Sequence, residues 1–156
     1  IFWETLEICK SLWQDSPISF HGKHFNFDDI WCQPRPAQGQ NLPLLFGLKM
    51  TQENAQRIAK VGHGWIPIKT SRDFISAGRD ILSEAFIKEG RKEQPRIRGQ
   101  LPTCVDDHGV PNIDLTLKEL EKSMAAGLDE VEVFPINFVQ APDDLFKILQ
   151  LISEVK

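Results

Sequence analysis

The sequence has no long basic tract, no apolar run of the ~20 residues that a transmembrane helix needs, and no paired cysteine or histidine motif. Its formal net charge is −4, which argues against a basic face that binds nucleic acid. The three cysteines are widely separated, so we expect neither a disulfide framework nor a zinc site. These absences predict a cytoplasmic chain with no metal, no nucleic-acid partner and no membrane contact.

Self-contained catalytic motifs are also missing. No Gly-x-Ser-x-Gly elbow occurs, and the adjacent Asp28 and Asp29 point apart, which makes a poor acid–base pair. His21 and His24 flank a glycine without metal-ligand spacing. The catalytic residues therefore stay unassigned, and any catalysis would depend on a bound cofactor.

The first quarter of the chain differs from the rest. Of the 156 residues, 41% are apolar and 26% charged, which suits one domain or part of one. Apolar residues at helical spacing predict a helix over 2–14. Residues 18–41 hold alternating aromatics and then Pro34 and Pro36, which predicts a short hairpin or extended excursion and a rigid connector. Because the chain opens inside a helix without methionine, we expect it to be a piece of a longer protein.

From residue 42 onward, strand and helix patterns alternate four times. Short runs that predict buried strands lie at 42–47, 64–68, 96–103 and 129–136. The helices after them are expected to begin near Thr51, Ser71, Thr116 and Pro142. This order predicts an α/β fold of parallel strands with helical crossovers, either an open sheet or half of an eight-stranded barrel, in a single partial domain over 1–156.

The stretch KVGHGWIPIKT (60–70) reads as a helix-to-strand turn. Gly62 ends a helix and Gly64 begins a strand, whereas a phosphate loop needs the reverse order, from strand through glycines to helix. We therefore expect His63 to be an exposed turn residue, and Trp65 to lie in the core away from the ligand side.

Three segments resemble one family in sequence order: FHGKHFNFDDIWCQPRPAQGQNLPLLFG (20–47), AQRIAKVGHGWIPI (55–68) and AAGLDEVEVFP (125–135). They are similar to segments of the luciferase-like flavin and deazaflavin oxidoreductases, and most similar to the subgroup that uses coenzyme F-420 instead of FMN. The resemblance implies a TIM-type (β/α) barrel, of which this chain would supply the fifth to eighth units, a C-terminal half-barrel. The missing first four strands would bring much of the flavin-ring pocket and the usual catalytic residue.

The resemblance also implies site residues. After the fifth strand the family has two glycines, and here the cofactor-binding positions would be Gly47, Leu48, Lys49 and Thr51. This loop opens a helix, whose N-terminus suits a phosphate; the alternative is that Lys49 is a solvated loop lysine.

Substrate-binding positions would follow the sixth strand, at Lys69, Thr70 and Ser71. The alternative is plain capping by Ser71 with Lys69 in water. Three further polar residues are candidates for the barrel interior or its rim: Arg98, Gln100 and Asn137.

Two functions follow. The resemblance implies the C-terminal part of an oxidoreductase or monooxygenase that uses reduced F-420 or FMN, for hydride transfer or oxygen activation on a small organic substrate. The chain alone is expected to be inactive, because half of the pocket is missing. The alternative is a non-catalytic half-barrel module, which pairs with itself as a homodimer or with a missing N-terminal half.

Overall fold

The computed structural model describes residues 1–69, 71–132, 134–139 and 141–154. The chain divides into two compact units, Ile1–Pro43 and Leu44–Lys156. Within the described ranges, no helix combines the length and the apolar character that crossing a bilayer would require.

The first unit is a helix followed by a hairpin. Helix α1 spans Phe2–Gln14, and the antiparallel strands β1 and β2 span Ile18–His21 and Asn26–Ile30. A short 3-10 helix, Gly39–Asn41, follows the proline-rich connector. The predicted helix is thus confirmed, and of the two alternatives predicted for 18–41 the structure shows the hairpin.

The second unit contains a parallel four-stranded sheet. Its strands are β3 (Leu45–Phe46), β4 (Gly64–Trp65), β5 (Arg96–Gln100) and β6 (Glu130–Glu132). They lie in the order β3-β4-β5-β6, and each neighbouring pair is parallel. The predicted order and direction are therefore confirmed, but the strands are shorter than the apolar runs that predicted them. Val133, inside the predicted fourth strand, lies outside the described residues.

Four helices follow the strands: α2 (Gln52–Val61), α3 (Arg72–Lys88), α4 (Ile113–Ala125) and α5 (Pro142–Ser153). Thr51 caps α2 as predicted, since its side chain accepts a hydrogen bond from the Asn54 N–H at 3.1 Å. Ser71 occupies the N-cap position of α3 without a side-chain capping bond.

The predicted start of the third crossover helix at Thr116 is wrong. Helix α4 begins one turn earlier, because Asn112 caps it by accepting a hydrogen bond from the Leu115 N–H at 3.0 Å. Thr116 is completely buried inside the helix. Its hydroxyl donates to the Asn112 carbonyl and accepts from the Cys104 N–H, so it fastens the loop before α4 instead of starting the helix.

One face of the sheet is apolar and the other is charged. Phe46, Trp65 and Ile97 lie level across the first three strands of the sheet and are all buried. Trp65 packs on α3, where a Cβ on Gly78 would lie 2.2 Å from its indole ring. The opposite face, here called the open face, carries Arg96, Arg98, Gln100, Glu130 and Glu132, none of which is buried.

The GHG turn joins α2 to β4 as predicted. Gly62 caps the end of α2, and Gly64 is the first residue of β4. A Cβ on Gly64 would lie 2.0 Å from the Arg96 carbonyl oxygen, so the second glycine is required by the close approach of β4 to β5.

Candidate functional site

The candidate site lies at the carboxyl edge of the sheet, where the loops after the four parallel strands leave it. Parallel strands deliver all these loops to one edge, and this is the edge at which α/β proteins bind ligands. The first three loops begin at Gly47, Ile66 and Leu101. The residue that follows β6, Val133, lies outside the described part.

A groove of about 240 Å³ opens at this edge between the loops after β4 and β5. Its lining comes from Pro67, Ile68 and Lys69 on one side and from 100–103 on the other. Lys69 and Gln100, both candidates from the sequence, are thereby brought together. The groove offers a cation and an amide beside apolar residues, which is a suitable arrangement for a small polar ligand.

Thr103 connects the groove to the loop after β6. Its hydroxyl accepts a hydrogen bond from the Asn137 side-chain amide at 2.8 Å, so Asn137 lies at the rim as the sequence suggested. Thr103 itself was not predicted, because the sequence extended the strand through it. The signal that would have found it is Pro102, since proline disfavours the continuation of a central strand.

The loop Gly47–Thr51 opens α2 and is held by three hydrogen bonds. The Trp65 indole N–H donates to the Leu48 carbonyl at 2.8 Å, and the Asn54 amide donates to the Lys49 carbonyl at 2.9 Å. The third is the capping bond to Thr51. Gly47 is exposed, and the space around a Cβ built on it is empty. The backbone beside Gly47 is therefore accessible to a ligand.

The groove lining does not extend to the loop Gly47–Thr51. The predicted convergence of this loop with Lys69 and Ser71 on one ligand thus stays a prediction. Thr70, the middle residue of the predicted substrate-binding set, lies outside the described residues. Ser71 is exposed, and its carbonyl accepts from the Ile75 N–H as the first turn of α3 begins.

Positive charge at this edge is available to a ligand. Lys49 and Lys69 are exposed, and neither forms an ion pair with another residue in the described ranges. Glu53 in the first turn of α2 opposes an anion, but Arg57 neutralises it at 2.6 Å. The helix N-termini add partial positive charge to that of the two lysines.

The GHG turn lies at the other end of β3. The His63 N–H donates to the Leu44 carbonyl at 2.7 Å, and its Nδ1 accepts from the Leu44 N–H at 3.1 Å. His63 is half-buried, so the prediction that it is an exposed turn residue is wrong. Its two hydrogen bonds to Leu44 support a structural role. Trp65 is in the core as predicted, but its side chain reaches Leu48 and is not remote from the ligand edge.

Arg98 points onto the open face and is paired. Its guanidinium donates to the Glu130 carboxylate at 2.8 Å, and Arg96 contacts the same carboxylate at 3.7 Å. Arg98 is therefore committed to an ion-pair cluster on the sheet, whereas Gln100 lines the groove.

These groups can bind and orient a ligand. The groove offers a cation, an amide and a hydroxyl, without a nucleophile–base pair among its lining residues. No cluster of three or more acidic, histidine or cysteine ligands suited to a metal occurs within the residues that the structure describes. The chemistry of a reaction here would have to come from a bound cofactor.

Curated relatives match over part of the chain. Proteins of Mycobacterium tuberculosis and Mycobacterium bovis, both described as uncharacterised, are 32% identical to it over 92 residues. The match covers 52% of this chain and 32% of each relative. The chain thus spans about a third of the length of the curated relatives that it matches.

Solved structures of similar fold include two described as F420-dependent enzymes. A secondary alcohol dehydrogenase has a TM-score of 0.68 at 15% identity. The match covers 83% of this chain and 54% of the dehydrogenase chain. A tetrahydromethanopterin reductase from Methanopyrus kandleri has a TM-score of 0.72 at 12% identity, and the match covers 99% of this chain and 61% of the reductase chain. A monooxygenase from Streptomyces bottropensis has a TM-score of 0.57 at 19% identity, and the match covers 80% of this chain and 39% of the monooxygenase chain. These likenesses confirm the predicted fold class, a partial barrel of parallel strand–helix units.

The family itself is shown by a sequence model. The model described as luciferase-like monooxygenase matches residues 1–109, which include α1, the hairpin, the loop Gly47–Thr51, the GHG turn and the groove. The resemblance read from three sequence segments is therefore confirmed, and the chain belongs to the luciferase-like monooxygenase family.

Proposed function

We propose that this chain is part of an oxidoreductase that uses reduced F-420 or FMN for hydride transfer or oxygen activation on a small organic substrate. In this proposal the loop Gly47–Thr51 binds the phosphate of the cofactor, and the groove beside Lys69 receives the substrate. The observation that carries it is a pair of exposed lysines, Lys49 after β3 and Lys69 after β4, at the same edge of two neighbouring parallel strands. Within the described residues neither lysine forms an ion pair.

The loop fits a phosphate. It begins with the accessible backbone at Gly47, includes the cation of Lys49, and leads into the N-terminus of a ten-residue helix. Leu48 replaces the second glycine of the family pattern, but its carbonyl is turned towards the Trp65 indole. The loop can therefore still approach an anion with its backbone.

The similarity to known proteins supports the choice of cofactor class. The similar alcohol dehydrogenase and reductase are described as F420-dependent, and the family model is that of luciferase-like monooxygenases. The cofactor would supply the hydride or the reduced ring for oxygen chemistry, and this chain would supply binding, orientation and exclusion of water. F-420 and FMN both carry a phosphate, so the predicted loop contact is common to the two.

The proposal is tested by titrating the ¹⁵N-labelled chain with inorganic phosphate and then FMN. We expect weak binding, with amide shift changes concentrated at 47–52, 68–69 and 71–73. Lys49→Ala and Lys69→Ala should each weaken it, because each removes a charge-assisted contact. Lys60→Ala, in the last turn of α2, is the matched control and should leave binding unchanged.

Two results would contradict the proposal. One is a set of shift changes centred on His21, His24 or His63. The other is binding that both lysine variants leave unaltered.

A further inference from the structure

Trp65 is buried in a strand of only two residues. Its side chain is 1% exposed, and it lies level with Phe46 of β3 and Ile97 of β5. The indole ring packs against Gly78 of α3 and lies 5.6 Å from the Phe74 ring. The ring is thus fixed between the sheet and α3.

The indole also has a polar connection outside its own strand. Its N–H donates a hydrogen bond of 2.8 Å to the Leu48 carbonyl, 17 residues earlier in the chain and in the loop after β3. A buried indole N–H needs an acceptor, because leaving it unpaired costs the desolvation of the group. The bond therefore fixes the Leu48 carbonyl relative to the packed core.

This bond sets the direction of the neighbouring amide. The Leu48 carbonyl and the Lys49 N–H belong to one peptide group, which is planar and trans, so the two point in opposite directions. Since the carbonyl points towards the buried indole, the Lys49 N–H points away from it, and Lys49 is itself an exposed residue.

We infer that Trp65 is a positioning residue for the phosphate-binding loop Gly47–Thr51: its indole N–H holds the 48–49 peptide so that the Lys49 N–H faces the ligand. The expected effect on phosphate binding rests on the proposed function. The expected effect on the order of the loop rests on the hydrogen bond alone. Trp65 acts through the backbone of Leu48 and Lys49 and does not itself touch the ligand.

The first variant is Trp65→Phe, which keeps an aromatic ring and removes the N–H. Site-specific replacement of Trp65 by benzothienyl-alanine is the second, because it keeps the bicyclic shape and exchanges only the N–H for sulfur. We expect phosphate binding to weaken by up to about five-fold, the factor that corresponds to one net hydrogen bond, because the variant loop must be ordered when the ligand binds. The amide shift change at Lys49 should fall most. Ile75→Val, in the buried core of α3, is the control that reduces stability without touching the indole bond.

Order in the loop is measured without ligand, by ¹⁵N relaxation. We expect the order parameters of 47–51 to fall in both Trp65 variants and to stay unchanged in Ile75→Val. Unchanged order in the benzothienyl-alanine variant would overturn the inference. So would a loss of phosphate affinity in Ile75→Val as large as that in the Trp65 variants. If the unaltered chain bound no phosphate, the proposed function would fail, while the relaxation data would still decide the role of Trp65.

Discussion

His63 joins the turn before β4 to the start of β3 through both its backbone and its ring. The ring Nδ1 accepts the Leu44 N–H, and the backbone N–H donates to the Leu44 carbonyl. The partner is 19 residues away, so local glycine chemistry predicted the turn correctly but gave no information about the acceptor. The hydrogen bond between Thr103 and Asn137 joins residues 34 positions apart, so a local sequence pattern could not predict it either.

His63→Ala should destabilise the second unit by about 1 kcal/mol, because it leaves the Leu44 N–H without its ring acceptor. His63→Asn should recover most of this loss, since its side-chain oxygen can take the place of Nδ1. Urea unfolding followed by circular dichroism measures both variants. Equal destabilisation by the two substitutions would show that ring packing, and not the hydrogen bond, is what matters.

At the scale of elements, the helices were more predictable than the strands. Helices α1, α2 and α5 carry their periodicity and end signals within a few residues, and they begin and end close to the predicted positions. The β3–β4 ladder consists of two residue pairs, so its length depends on where distant segments meet. Helix α4 shows the limit of local signals: Asn112 and Thr116 both suit a cap, and burial decided between them.

The contact between α1 and the hairpin depends on a carboxylate. Glu4 of α1 accepts hydrogen bonds from the His24 and Phe25 N–H groups, at 3.0 and 3.4 Å. The His24 N–H is the main cause that lowers the pKa of Glu4 below its ordinary value of 4.5, and the Phe25 N–H acts in the same direction. A lowered pKa in the folded state means that this contribution to stability is complete above about pH 4.5 and is lost as the pH falls through the folded pKa.

We therefore expect the His24 and Phe25 amide resonances to shift together as the pH falls below about 4.5 and through the lowered pKa of Glu4, because the carboxylate takes up a proton and the hairpin tip loses its acceptor. Glu4→Gln should abolish this step, because its side chain has no charge to lose. Glu7→Gln, at an exposed position of the same helix, is the control and should preserve the step. An identical pH profile in the Glu4→Gln protein would show that another group is responsible.

At the scale of the whole molecule, the alternation of strands and helices was enough to predict an α/β fold with parallel strands, and the family resemblance was needed to choose a half-barrel over an open sheet. The sequence could not show which apolar side chains remain uncovered. Phe134, Ile136 and Phe146 are 44%, 74% and 75% exposed, although Phe134 and Ile136 belong to the apolar run that predicted the fourth buried strand. Apolar exposure of this kind marks contact surfaces or aggregation hazards.

We propose that this chain associates, either with a second copy of itself or with a complementary half-barrel. We expect concentration-dependent self-association in light scattering after size exclusion, because the exposed side chains of α5 gain by burial. Phe146→Glu should shift the mass towards the monomer. Lys118→Gln, which lowers the net charge by the same one unit at an exposed position of α4, should not. A strictly monomeric chain at all concentrations would argue against pairing with itself.

The contact between the Trp65 ring and Gly78 has a consequence for how the sequence can drift. A methyl group at residue 78 would meet the indole at 2.2 Å, so the glycine can enlarge only if the ring shrinks. A smaller ring would give up the hydrogen bond to Leu48. We therefore expect tryptophan at residue 65 and glycine at residue 78 to covary among related sequences. Both should be retained where the loop is retained, and both should change where it is not.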